Sequence, residues 1–247
     1  MQEKSLALSK DAERIILDTT KDRLVDIALK AGNAEDYAKI AKDNLNYFYE
    51  NLVFSSLDLG VKSGKALDMG TQFGLCAISL AKQHYEFDIT SLQDSLKSIT
   101  IAKAFAEKDM VEERIRWALG RQDSLPFADH SFDLVVSGFD MHHWENPVRT
   151  FSEIERVTKT NGAILIGDLR REAFSAVIPF VRTITSLLSK DAIYEELKHS
   201  FKASYNRSEV LELVRNSGLR DCEVSKDLQF VYVRRARKEK KHIVVEM

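Results

Sequence analysis

Between residues 65 and 167, short apolar runs alternate with stretches of helical periodicity, and this alternation constrains the fold more than any other feature of the chain. The runs lie at 66–69, 87–92, 115–119, 133–137 and 163–167, and each is too short for a stable helix. Strands separated by helix-length segments must pair in parallel, because a parallel partner needs a long crossover that a helix supplies. The expectation is an α/β protein whose sheet is covered by helices on both faces.

The punctuation agrees. Asn146 and Pro147 read as an N-cap and a first-turn proline ahead of Val148, Phe151, Ile154 and Val157 on one helical face, with Gly162 ending the unit. Asn206 and Glu209 have capping-box spacing before Val210, Leu213 and Val214, and Gly218 stops that helix. The last two apolar runs, 222–225 and 228–233, are separated by too few residues for a crossover and should pair antiparallel. Ahead of the sheet, Leu24, Ile27 and Ala28, then Tyr37, Ile40, Ala41, Leu45, Phe48 and Leu52, recur at helical spacing, broken at Gly32 and Asn33. Residues 1–60 therefore read as a helical N-terminal extension and 61–247 as one α/β domain.

Composition narrows the function. With 44% hydrophobic and 30% charged residues, three Pro and ten Gly, the 247-residue chain has the profile of a globular protein, not a disordered or fibrous one. Its net charge of −2 creates no field that would collect nucleic acid or an anionic membrane, so neither is expected as a partner. Cys76 and Cys222 lie far apart, the first residues lack the apolar run of a signal peptide, and no stretch reaches about 18 uninterrupted apolar residues. These features lead to the expectation of a cytoplasmic protein without a membrane span. The basic run from Arg234 to Lys241 reads as a solvated tail, with contact to a phosphate-bearing partner as the alternative.

Residues 65–81 form a strand, a turn with Gly70 and Gly74, and a helix opening at Cys76. Glycines there either let backbone amides approach a ligand at a helix N-terminus or meet the sterics of a tight turn. Cys76 sits among Leu75, Ala77 and Ile78, which suggests a buried, inert thiol.

Read with the segments 91–103, 123–137, 141–147, 162–171 and 200–205, this stretch resembles motif I of the class I S-adenosylmethionine-dependent methyltransferases. Segment 141–147, Met141-His142-His143-Trp144-Glu145-Asn146-Pro147, is similar to a loop of the ubiquinone/menaquinone-methyltransferase-like branch, and the resemblance runs over roughly residues 45–235. It implies a Rossmann-like, seven-stranded, mostly parallel sheet with the last strand antiparallel, and a helical lid insertion at about 172–205. It further implies S-adenosylmethionine as cofactor, S-adenosylhomocysteine as product, and a cofactor lying across the carboxyl ends of the first strands. The positions carried over are Asp68, Gly70, Thr71, Gln72, Gly74, Gln93, Asp94, Arg121, Gln122 and Asp123 for the cofactor, and Tyr47, Asp168, Arg170 and Tyr205 for the substrate.

Three of these depart from the family pattern. Gln72 replaces a glycine, Gln93 stands where an acidic residue binds both ribose hydroxyls, and Arg121 occupies the register of an acceptor for the adenine amino group, with Asp123 the available substitute. If all three enter the pocket they weaken cofactor binding, and the chain becomes a member that uses another ligand, runs a demethylation, or serves as a catalytically silent subunit.

Methyl transfer from a sulfonium is an in-line displacement that needs alignment above all. For a hydroxyl or acidic-carbon acceptor, Asp140, His142 and His143 supply candidate bases, with His143 assigned the substrate-facing role; otherwise the two histidines cap the next helix or pack beside Trp144. Adjacent histidines on extended backbone point oppositely, so no metal site is expected from this trio. The apolar residues of the lid, such as Phe174, Ile178 and Phe180, together with Tyr47, Phe48 and Tyr49, favour a small hydrophobic or aromatic acceptor; the same residues would equally serve as core or as a homodimer face. Asp168, Arg170 and Arg171 would bind an anionic acceptor or stand as solvated loop charges.

Overall fold

The computed structural model describes residues 46–70, 72–84, 86–174 and 198–237, with Gln72 described by its backbone alone. Seven strands form one sheet: β1 (Gly64–Met69), β2 (Phe87–Gln93), β3 (Ile115–Leu119), β4 (Phe132–Gly138), β5 (Thr158–Leu169), β6 (Glu223–Lys226) and β7 (Phe230–Arg235), in spatial order β3-β2-β1-β4-β5-β7-β6. β1 through β5 pair in parallel, whereas β7 runs antiparallel to both β5 and β6. The expected hairpin is present, shifted by one or two residues toward the C-terminus.

Among the described residues the sheet is covered by α1 (Leu75–Gln83), α2 (Leu96–Lys108), α3 (Pro147–Val157) and α4 (Arg207–Ser217), besides the helical stretches 46–55 and 198–203. Strand alternation sends Leu67, Met69, Val135, Ile164 and Ile166 to a core shared with α3 and α4, and Ala66, Leu134, Val136, Leu165 and Leu169 to a core shared with α1 and the helical residues 46–55. Tyr49, Leu52 and Val53 are buried there, so the described end of the N-terminal extension is part of the domain core. The predicted helices before residue 46, the middle of the lid, 175–197, and the basic run beyond residue 237 lie outside the described residues.

The Asn146 side chain accepts from the Arg149 amide at 3.0 Å, and Asn206 and Glu209 close a full capping box. One expectation changes. α3 ends at Val157, not at Gly162, because Thr158–Gly162 is already the opening of β5; Phe132 pairs with Thr158 but Leu134 with Ala163, a register irregularity that Gly162 accommodates with Thr158, Lys159 and Asp133 crowded around its α-carbon.

Parallel strands all end on one side, and their carboxyl ends set out a crest: Met69–Gly70, Gln93, Gly138–Asp140 and Leu169–Arg170. The turn between β6 and β7 comes up beside it, since the Arg170 amide donates to the Gln229 carbonyl at 2.8 Å.

Candidate functional site

On the β1 and β2 side of the crest, Asp68 and Ser91 are paired in register on adjacent strands, and the Ser91 hydroxyl donates to Asp68 Oδ2 at 2.9 Å. The same carboxylate oxygen accepts the Ala77 amide of α1 at 3.3 Å, so Asp68 ties the first turn of that helix to the sheet. Gln93, two residues beyond Ser91 and therefore on the same face, donates its amide Nε2 to the Ser91 hydroxyl at 3.0 Å. The result is a buried polar line, Gln93–Ser91–Asp68, beneath the turn. Asp94 is exposed beyond it.

The two glycines of the turn serve different ends. Both have φ of +67°, a region that L side chains adopt at a penalty of about 1–2 kcal/mol. Above Gly74 stands the indole of Trp117 on β3, with Cζ3 at 2.7 Å from where a Cβ would sit, so Gly74 answers a packing requirement. Above Gly70 the neighbours are polar: Gln122 Nε2 at 2.4 Å and Asp140 Oδ2 at 2.9 Å from the same construction. Thr71 and the side chain of Gln72 lie outside what is described.

Arg121 does not enter this space, contrary to the expectation of a cation in the pocket. Its guanidinium is exposed and engaged by Asp123 at 3.0 and 3.1 Å and by Glu145 at 2.6 Å. A tight turn, in which the Ser124 amide donates to the Arg121 carbonyl, sends Arg121 outward and leaves Gln122 half-buried, facing Asp140. Asp123 is thereby committed to Arg121, whose hydrogen bonds hold its carboxyl below the usual range.

On the β4 and β5 side, Met141–His143 is a single 3₁₀ turn. The expectation of extended backbone with oppositely directed histidines fails here for that reason: the rings of His142 and His143 lie side by side, centroids 4.0 Å apart. Asp140 precedes the turn and faces the donor half, accepting Trp144 Nε1 at 2.9 Å and Gln122 Nε2 at 3.3 Å. His142 instead meets Asp168 of β5, with Nδ1 2.7 Å from Oδ1, while its backbone amide donates to Oδ2 at 2.7 Å. Asp168 is fully buried, so the reading of a solvated loop charge is replaced by that of a carboxylate clamp on the 141–143 turn.

The buried polar atoms near the crest without a hydrogen-bond partner among the described residues include His142 Nε2, Tyr205 Oη and Tyr49 Oη. Burial, then the charge of Asp168, raises the Tyr205 hydroxyl above its ordinary pKa. For Tyr49 burial again acts first, followed by Cys76, Asp140, Asp68 and Asp168, which marks Tyr49 as the residue that senses both halves of the crest. Arg170 donates to the Leu228 carbonyl at 2.8 Å and so braces the hairpin turn.

A cavity of about 480 Å³ opens between residues 46–55 and the β6–β7 hairpin, with Phe139 in its wall. Tyr47, Phe48, Phe139, Phe230 and Tyr232 line it, with Asp227 and Arg234 at its polar margin. Phe48 contacts Phe139 and Phe230 with ring centroids 4.1 and 4.5 Å apart, while Tyr47 is 79% exposed. Sequence reasoning missed Ser91, Trp117, Phe230 and Tyr232. The signal for Ser91 was its two-residue spacing from Gln93; the other three depend on pairing across strands, which spacing along one chain does not reveal.

Comparison with known proteins places this geometry in context. A family model described as "Methyltransferase domain" matches residues 67–166. The biotin biosynthesis bifunctional protein BioHC of Teredinibacter turnerae is 34% identical over 131 residues, covering 50% of this chain but 23% of that protein. A demethylmenaquinone methyltransferase of Porphyromonas gingivalis is 28% identical over 169 residues, covering 63% of this chain and 68% of that protein. Among solved structures, the plantazolicin methyltransferase BpumL, in complex with a substrate analogue and S-adenosylhomocysteine, superposes with a TM-score of 0.65 at 14% identity over 93% of this chain and 100% of that one.

Proposed function

We propose that the chain, whose residues 67–166 match a methyltransferase domain, is a class I S-adenosylmethionine-dependent methyltransferase that moves a methyl group from S-adenosylmethionine to a small hydrophobic or aromatic acceptor by in-line displacement. The observation that carries the acceptor class is the aromatic cavity of about 480 Å³, which begins at Phe139, one residue from Asp140 over the glycine turn. Its walls are flat rings, which favour a planar partner. The named activity of the demethylmenaquinone relative supports the same class.

The donor half fits the cofactor. Gly70 presents its backbone where a side chain would collide, two carboxylates and two amides supply acceptors for a cationic, hydroxyl-bearing molecule, and the guanidinium of Arg121 is turned to the surface. Asp68, Gly70, Gln93, Gln122 and Asp140 would hold it. When bound, S-adenosylmethionine supplies a methyl group activated by a sulfonium. The protein's own contribution is alignment in a site shielded from water, with Phe48, Phe139 and Phe230 fixing the acceptor plane.

For an acceptor with an acidic O–H or C–H, His142 is the base. With Nδ1–H donated to Asp168, the ring keeps its lone pair at Nε2, the atom that has no partner among the described residues. This moves the base from His143 to its neighbour; His143 remains the lateral wall of the imidazole.

The test is calorimetric titration with S-adenosylmethionine and S-adenosylhomocysteine, followed by transfer of a labelled methyl group to a panel of phenols, quinols, amines and carboxylates. Micromolar cofactor binding with label on the hydroxylated aromatics is expected. Label confined to the amines, or none despite bound cofactor, would overturn the acceptor class.

A further inference from the structure

The aromatic cavity has two charged side chains in its described lining, Asp227 and Arg234, and they are not equivalent. Asp227 is spent on its own hairpin. Its Oδ1 accepts the Gln229 and Phe230 amides at 2.8 and 2.7 Å, and its Oδ2 accepts the Tyr232 hydroxyl at 2.8 Å. Arg234, by contrast, has its Nε buried without a hydrogen-bond partner, and no carboxylate among the described residues pairs with it. Across the cavity, Asn51 and Ser55 donate to the Tyr47 and Leu52 carbonyls of their own helical turns, so the charge of Arg234 is not answered from that wall.

The sequence pattern puts Arg234 at the head of a basic tail, but the residue belongs to β7, where it pairs with Leu165 of β5 and is half-buried. Strand alternation sets Phe230, Tyr232 and Arg234 on one face, the face that lines the cavity. The guanidinium lies over the Tyr232 ring, 4.5 Å from its centroid, and the centroids of Tyr232 and Phe230 are 6.3 Å apart. The cation thus stands one ring away from the wall formed by Phe48, Phe139 and Phe230. A ring face attracts a guanidinium but accepts no strong hydrogen bond, so the donors of Arg234 are still to be used. The other arginines that the sequence offers for an anion are engaged elsewhere, Arg170 on the Leu228 carbonyl and Arg171 on Glu209. An oxyanion is the ligand that satisfies both the permanent charge and the planar donors of a guanidinium.

We propose that the acceptor is an aromatic molecule carrying an anionic oxygen group, carboxylate or phosphate, which Arg234 holds while the ring stands against Phe48, Phe139 and Phe230. Arg234 is then a specificity residue: it selects the charged acceptor and sets how far the ring enters, and it takes no part in the displacement. This inference rests on the reading of the cavity as the acceptor site.

The experiment is calorimetric titration of the full chain, loaded with S-adenosylhomocysteine so that no transfer occurs, with para-hydroxyphenylpropanoate, its primary amide and para-hydroxyphenethyl phosphate. The same compounds are then added as competitors of methyl transfer to the best acceptor of the panel. One of the two anions is expected to bind about tenfold more tightly than the amide, and the tighter one identifies the anionic group. Arg234→Met keeps an unbranched stem over the Tyr232 ring without the charge; it should abolish this preference and raise KM for an anionic acceptor about tenfold, with cofactor affinity changed by less than about threefold. Arg234→Lys keeps the charge and should retain part of the preference, which is the check that stands if Arg234→Met melts early. Equal binding of amide and anions to the unmodified chain, or a preference that survives in Arg234→Met, would overturn the inference and leave the aromatic acceptor reading intact. Charge-selective binding that depends on Arg234 but does not compete with the acceptor would instead sink the reading of the cavity as the acceptor site, and the inference with it.

Discussion

Two groups of buried polar atoms, at opposite ends of the sheet, are satisfied to different degrees. At the amino-terminal end, Asp133 of β4 accepts the Lys65 amide at 3.0 Å and the Lys159 ammonium at 2.7 Å, and Arg237 stands 3.7 Å from its other oxygen. At the carboxyl-terminal end, His142 Nε2, Tyr49 Oη and Tyr205 Oη are equally buried and have no hydrogen-bond partner among the described residues. A buried donor or acceptor left unsatisfied costs about 1–3 kcal/mol. The amino-terminal end is not wholly satisfied either, since His84 Nε2 and one nitrogen of Arg235 also lack a hydrogen-bond partner among the described residues, so the contrast is between Asp133, with its three partners, and the group of unpartnered atoms at the crest. The difference separates a carboxylate that ties strands together, Asp133, from crest atoms that are left without a hydrogen-bond partner among the described residues.

The largest effect expected from breaking this contrast is at Asp168. Replacing it by Asn keeps the shape but ends the charged hydrogen bonds to the His142 ring and amide, and frees the imidazole to adopt the wrong tautomer. Single-turnover methyl transfer should fall by about 10²–10⁴, the usual contribution of general-base catalysis, with cofactor affinity changed by less than threefold. A stopped-flow or quenched assay under saturating cofactor measures this. A rate within a factor of about three of the unmodified enzyme would return the histidines to a purely structural role.

Asp133 tests the opposite end. Its burial raises its carboxyl pKa, but the Lys159 ammonium, the Lys65 amide and then Arg237 outweigh that and bring it below the usual value. A folded-state pKa lowered below the unfolded one gives stability that is complete above the unfolded pKa and drains away as pH falls through the folded one. Asp133→Asn should therefore lose about 1–3 kcal/mol at pH 7, where the hydrogen bonds are charge-assisted, with transfer rates unchanged in the protein that remains folded. The gap between the two proteins should close as the pH drops below about 4, near the ordinary carboxylate range. Urea melts at several pH values would show this; a gap independent of pH would mean that Asp133 acts through packing and not through charge.

How far the sequence reveals each region follows from the same contrast. The alternation of short apolar runs with helices, the Asn146 cap and the capping box at Asn206 are local patterns, and each reappears within a residue or two of its predicted place except the start of β5, which comes five residues before the predicted run at 163–167. Asp68, Gly70 and Gln93 lie at strand ends that the alternation already locates. The outward turn of Arg121, the inward turn of Gln122 and the pairing of His142 with Asp168 are not local: they depend on a backbone turn and on contacts across 18 to 26 residues. A position in a motif says which strand end a residue occupies, but one residue of register decides whether its side chain faces ligand or water. Gln122 and His142 both stand among the sequence candidates, beside Arg121 and His143, and what the spacing leaves undecided is which member of each pair turns inward.

The smallest expected effect sharpens the comparison within the crest itself. Tyr47 is 79% exposed at the rim of the aromatic cavity, while Phe48 beside it is packed on Phe139 and Phe230. An exposed side chain whose loss uncovers no core changes stability by less than about 0.5 kcal/mol. If the cavity takes the acceptor, Tyr47→Ala removes one face of it and should raise the acceptor KM about threefold to tenfold, with kcat and the melting temperature held, because contact made equally in ground and transition states affects binding alone. Steady-state kinetics on the best acceptor from the panel would measure it. A fall in kcat at unchanged KM would place Tyr47 in the transition state and draw the reacting centre toward the rim; no change in either constant would mean that the acceptor sits deeper, against Phe139, whose ring centroid lies 5.8 Å from that of Tyr49.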